Sequence, residues 1–177
     1  RLRVAGLMVE AAQQKARQKR SKEVIKLAKE HVVHANQAEL EVYEARAGRT
    51  PGDPRCQFEL GLRLKRAGRH RDAIKAFQVA RSDNRRGAEA QLQLGECFQH
   101  IQQYKLAAGS YEEAIKAVGD DAEETRKLAL YRAGVLAILV GDLDLAETRL
   151  TELAAMDFGY KDVGDRLDKI AELRKNA

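Results

Sequence analysis

The chain has 177 residues, 44% hydrophobic and 33% charged, with a formal net charge of +5, two prolines, two cysteines and no tryptophan. That is enough apolar material for a core of ordinary size and too much for a wholly disordered chain, yet no apolar run approaches the ~20 residues of a membrane span. Abundant Ala, Leu, Glu, Lys, Arg and Gln with scarce proline favours helix over a β-sandwich or barrel, and two cysteines build no disulfide framework.

The charge is unevenly spread. Residues 1–100 hold 21 Lys and Arg against 12 Asp and Glu, whereas residues 101–177 hold 11 against 15. The front is basic and the rear mildly acidic. The cysteine usage points to a reducing compartment, so a cytoplasmic protein is expected. The sequence starts at Arg1, so an anchor or signal upstream stays open.

The first segment, residues 1–53, reads as a basic helical region. No Gly or Pro occurs between Gly6 and Gly48. Either one helix of about 60 Å fills this stretch, or a soft break near His34-Ala35-Asn36 makes a degenerate helix pair. Ile25, Ala28, Val32, Ala35 and Val42 form a narrow apolar stripe suited to docking on the helices C-terminal to it. Lys15, Arg17, Lys19, Arg20, Lys22 and Lys26 crowd together with Glu23 the only acid among them. Such a run is most simply a solvated face. Its sharper reading is a weakly supported patch for an anionic membrane or nucleic acid. No aromatic lies between Arg1 and Val42, so base stacking has little support.

From Asp53 the punctuation is clearer. Asp53 is a helix cap with Pro54 at the first helical position. Gly68 closes that helix, and a second runs from about Arg71 to Arg81. Ser82-Asp83-Asn84, Gly119-Asp120 and Gly141-Asp142 mark further turns. Two segments align without a gap: Leu60-Gly61-x-x-Leu64, Ala73, Phe77, Ala80, then Leu94-Gly95-x-x-Phe98, Ala107, Tyr111, Ala114. Equivalent residues are 34 apart. A third copy, Gly134, Ala146 and Leu150, comes after about five extra residues around Asp120-Asp121-Ala122-Glu123-Glu124. One more period backwards, Tyr43 falls at the large-residue position, but Glu39 stands where a small Ala is expected. Small residues where two helices cross, with an aromatic between them, describe a helix pair that buries its apolar face only by stacking on its neighbours.

A 34-residue period with these small and large positions resembles the tetratricopeptide repeat (TPR) family. The resemblance implies an all-α, right-handed α-solenoid. Three TPR-type repeats, at about 54–87, 88–121 and 127–160, would follow the N-terminal helix or degenerate pair, and a capping helix at about 162–175 would close the array. The family's Trp is absent, with Gln57, Gln91 and Leu130 in its place.

The repeat alignment assigns a concave groove to the first helix of each unit. It carries Arg55, Phe58, Leu62, Lys65 and Arg66, then Glu89, Leu92, Glu96, Gln99 and His100, then Leu128, Tyr131, Val135 and Leu139. A groove with apolar anchors and a cationic end suits a peptide or helix of a partner protein, and the expected function is a non-enzymatic interaction scaffold. Homo-oligomerisation is the alternative. TPR co-chaperones clamp EEVD tails of chaperones with Lys and Asn residues. The matching positions here hold Phe58, Leu62, Gln93, Leu128 and Arg132, of which only Arg132 fits, so these tails are not expected partners.

No catalytic constellation stands out. A glycine-rich phosphate loop, a G-x-S-x-G elbow and an H-E-x-x-H motif are all missing from the sequence. His31 and His34 share a helix face but lack a third ligand, and Cys56 and Cys97 read as small packing residues. No cofactor, metal or enzymatic activity is expected.

Overall fold

The computed structural model describes residues 2–19, 22–119 and 122–175, with side chains at 6–15 and from Glu23 onward within those ranges. The helices are α1 (Leu2–Lys19), α2 (Lys22–Arg49), α3 (Pro54–Arg66), α4 (His70–Ala80), α5 (Gly87–His100), α6 (Tyr104–Ala117), α7 (Glu123–Val140), α8 (Leu143–Met156) and α9 (Val163–Lys175). Among the described residues there is no strand. Successive helices pack as hairpins, and each hairpin stacks on the next, giving an all-α solenoid.

The turns inside the three central pairs share one geometry. Gly68 donates its N–H to Lys65 and Arg69 to Leu64; Gln102 to Gln99 and Gln103 to Phe98; Gly141 to Ile138 and Asp142 to Ala137. This is the Schellman closure, which needs a left-handed residue after the helix. Gly68 (φ 75°) and Gly141 (φ 82°) adopt it without a Cβ penalty, whereas Gln102 (φ 61°) holds the same position with one. Helix starts use the expected caps at two places: the Asp53 carboxylate accepts from the Arg55 N–H at 3.1 Å, and the Asp142 carboxylate from that of Leu145 at 3.1 Å.

Within each pair the small residue admits the large one. Phe77 packs over Gly61, Tyr111 over Gly95 and Leu150 over Gly134, and all three large side chains are fully buried. Each such side chain contributes about 2–3 kcal/mol of burial. One core gathers Leu64, Phe77, Ala80 and Leu94; a larger one gathers Tyr111, Leu130, Leu150, Leu153, Val163 and Ile170. Phe98 packs against both, so the apolar interior runs on from pair to pair.

Of the two N-terminal alternatives the helix pair holds, but its division lies elsewhere than expected. The chain is neither one helix through residue 47 nor broken at His34-Ala35-Asn36. The α1 helix ends at Lys19, and α2 runs unbroken through His34. No Gly or Pro signals this site. What the division gains is the packing of α1 on α2. Leu40 and Ala47 of α2 are buried at the first repeat. Glu39, the residue that does not fit the small-residue pattern, accepts from Arg63 at 3.3 Å and from Arg66 at 2.9 Å, so ions replace close packing at this interface. Tyr43 lies beneath the Arg63 guanidinium, 4.2 Å from ring to cation. At the other end, α9 covers the larger core with Val163 and Ile170 and ties back to α8 through Arg174 and Glu147 at 2.9 Å.

Candidate partner-binding groove

The first helices of the three central pairs, α3, α5 and α7, lie side by side and touch along one face. The packing is close enough to remove two expected anchors from the surface. Phe58 is 1% exposed, edge-on to Phe77 and under the Arg86 guanidinium; Leu92 is 2% exposed in the larger core. Neither reaches a groove, because the expected concave position lies in the seam between neighbouring helices. Leu128 and Val135 are half-buried against the larger core, and Leu62 against the smaller.

The open part of the face is a cavity of about 510 Å³ lined by Lys65, Glu96, Gln99, His100, Gln102, Tyr104, Arg132 and Leu139. Four of these, Lys65, Glu96, Gln99 and His100, were readable as groove residues from the repeat register. Gln102 and Tyr104 were not, since they belong to the turn and second helix of their unit. Leu139 was expected there too, and Arg132 sits on α7 beside the expected positions. Leu139 is 58% exposed, an apolar side chain offered to solvent at the cavity edge.

Glu96 organises the floor. Its carboxylate accepts from the Lys65 ammonium on α3 and from the Arg132 guanidinium on α7, the latter at 3.0 Å. Lys65 donates also to the Gln93 side-chain oxygen at 2.6 Å. Arg132 keeps its Nε–H buried without a hydrogen-bond partner. Beside them the His70 and His100 rings stack with centroids 4.4 Å apart and planes 6° from parallel. Burial above all, then the nearby His100 and Lys65, lowers the pKa of His70.

Tyr131 turns toward the C-terminal end. Its hydroxyl donates to the Asp162 carboxylate at 2.6 Å and accepts from Arg166 at 3.2 Å. Lys161 places its ammonium 4.3 Å from the Tyr131 ring and 5.1 Å from that of Tyr160. The repeat register had no place for Lys161, which lies in the connection before α9. The sequence signal near it is Gly159, a turn residue in the stretch from Asp157 to Tyr160.

The remaining expected residues lie elsewhere. Arg66 is turned to α2, held by Glu39 and Asn36. Arg55 sits at the opposite end of α3, pairing with Asp83 at 3.4 Å beside a smaller cleft of about 340 Å³ with Glu59, Arg85 and Arg86. In the basic run, Lys15 and Lys26 are exposed, and Lys26 pairs with Glu30 at 3.8 Å. Arg20, and the side chains of Arg17, Lys19 and Lys22, lie outside the described residues. Among the described residues no group of three His, Cys, Asp or Glu side chains could hold a metal ion. Cys56 and Cys97 are free thiols, the first half-buried and the second buried.

Comparison with solved structures places this architecture. The crystal structure of MamA superposes with a TM-score of 0.71 at 18% identity, covering 84% of each chain. The fold is TPR-type. A second crystal structure of MamA gives 0.68 at 16% identity over 95% of this chain and 81% of that one. The second TPR domain of human RPAP3, solved by NMR in complex with the HSP70 peptide SGPTIEEVD, gives 0.57 at 20% identity over 67% of this chain and 98% of that one. No family model and no curated protein sequence matches the chain.

Proposed function

We propose that this chain is a non-enzymatic protein-interaction scaffold that receives a peptide or helix of a partner in the cavity between α3, α5 and α7. The observation that carries this reading is the cavity itself, where exposed Leu139 adjoins Tyr104, Lys65 and Arg132. A concavity that combines apolar side chains with a few charged groups is the composition of a peptide-binding groove. The TPR domain of RPAP3, whose fold is shared, is a peptide binder. The test is affinity capture with the full-length protein and its Leu139→Arg variant. Loss of the captured partner with an unchanged melting curve supports the groove; undiminished capture refutes it.

A second reading has its own observation. Leu7, Met8, Ile25, Leu27 and Val33 are exposed on α1 and α2, the open end of the stack, where solenoids normally carry a polar outer face. We propose self-association through this end as the alternative. Light scattering across concentration decides it, and a strict monomer rules it out.

A further inference from the structure

The concave face carries cations from three elements around one buried acid. Lys65 comes from α3, Arg132 from α7 and Lys161 from the connection before α9. Glu96 on α5 lies between Lys65 and Arg132 and pairs with both. Glu96 is 9% exposed, so an approaching partner meets cations and not the carboxylate.

Two of these cations have unused capacity. The Arg132 side chain is 40% exposed and, among the described residues, makes one ion pair, to Glu96. Lys161 has no ion pair among the described residues, only the faces of Tyr131 and Tyr160. Partial desolvation first, then repulsion from Arg132, lowers its pKa against the opposing pull of Glu96 and Asp162. Its backbone stands at φ 51°, a conformation that lysine rarely adopts. The exposed apolar side chain of Leu139 and the Tyr104 ring share the cavity with Arg132.

We propose that the groove selects an acidic internal segment of its partner, with side-chain carboxylates on Arg132 and Lys161 and an apolar side chain against Leu139 and Tyr104. The inference rests on the concave face being the partner surface, and charge complementarity supplies the choice of occupant. Glu96 is then an internal competitor. It already holds Lys65 and Arg132, so an incoming carboxylate must share them. Recognition is of side chains along a segment, so a free chain terminus adds nothing.

The test is fluorescence anisotropy on the full chain with three labelled, amidated peptides: SELDELLDES, its lysine counterpart SKLKKLLKKS and its glutamine counterpart SQLQQLLQQS. The acidic peptide binds about tenfold tighter than either counterpart, and weakens as NaCl is raised from about 50 to about 300 mM. Lys161→Asn, which tolerates the left-handed backbone, and Arg132→Gln each weaken it about fivefold. Glu96→Gln tightens it, and the free-acid form binds as the amide does. If Glu96→Gln unfolds, the exposed Lys161→Asn carries the test. Equal binding of the lysine or glutamine peptide, or no effect of Lys161→Asn and Arg132→Gln, overturns the proposal. If a counterpart peptide binds and Leu139→Arg abolishes it, the groove stands and acid selection falls. If no peptide binds, acid selection falls and the capture experiment alone judges the groove.

Discussion

Gly61 and Phe77 share a space that has room for only one of them: a Cβ on Gly61 would lie 2.6 Å from Cε1 of the Phe77 ring. The ring is fully buried and cannot move aside. Gly61→Ala therefore loses more by overpacking than it gains in helix propensity, and destabilises by about 1–2 kcal/mol net. Gly109, exposed within α6, has nothing within 4 Å of its added Cβ. There the same substitution stabilises by about 0.5–1 kcal/mol. Urea unfolding of the two variants shows opposite shifts of midpoint; shifts of one sign would refute the packing account.

Gln102 occupies the left-handed turn position that Gly68 and Gly141 fill in the neighbouring pairs. A Cβ there costs about 1–2 kcal/mol, partly offset by the greater unfolded-state freedom of glycine. Gln102→Gly is expected to raise stability by about 0.5–1 kcal/mol. Because Gln102 lines the cavity, the same variant also reports whether that strained turn matters to partner capture.

The two thiols differ in reactivity. Burial, above all, pushes the Cys97 thiol up to about 11. At pH 8 its thiolate fraction falls roughly two orders of magnitude below that of a free cysteine near pKa 8.5. Titration with a disulfide reagent is expected to modify half-buried Cys56 first and Cys97 only on unfolding. Equal fast reaction of both would contradict the buried placement.

His70 makes stability fall on mild acidification. Its folded pKa lies below the unfolded value because burial, His100 and Lys65 all oppose the charged ring. Above pH ~6.5 the ring is neutral in both states and contributes no pH dependence. As pH falls through ~6.5 toward the folded pKa, the unfolded chain binds the proton first and stability drops. The carboxylates of Glu59 and Asp162, lowered by their partners, act only at more acidic pH. Urea midpoints at pH 7.5 and 5.5 measure the effect. His70→Gln flattens the difference, and an unchanged slope in that variant would assign it elsewhere.

The peptide SGPTIEEVD, bound by the RPAP3 domain, is not expected to form a micromolar complex here. Of the positions that align with the co-chaperone clamp, Phe58 is buried, Leu62 and Leu128 pack on the cores, and Gln93 accepts from Lys65. At these positions Arg132 alone offers charge, already shared with Glu96, so the affinity that a clamped chain terminus adds is missing and only side-chain contacts at Arg132 and Lys161 are left. Calorimetric titration giving a Kd of about 1 µM or tighter would overturn this.

The repeats were legible because Gly61, Gly95 and Gly134 recur with their partners at a spacing that only a stacked helix pair demands. The division into α1 and α2 was not, since no Gly or Pro marks it and only the packing of the two helices reveals it. Phe58 and Leu92 show a different limit. Register places them on the concave side, but the depth of the seam between α3, α5 and α7 decides that they are interior. Lys161 was invisible because it belongs to no repeat position, and its meaning comes from Tyr131 and Arg132 on another helix.

The carboxylate of Glu96 belongs to two seams at once, since Lys65 reaches it from one neighbouring hairpin and Arg132 from the other. In a solenoid whose stability is a sum of adjacent interfaces, pairs at the ends can fray one at a time. Here, peeling off the hairpin of α3 leaves Glu96 with half its counter-charge and so weakens the seam beyond. The central pairs are thereby linked like links on one pin, each seam leaning on the other through a single carboxylate.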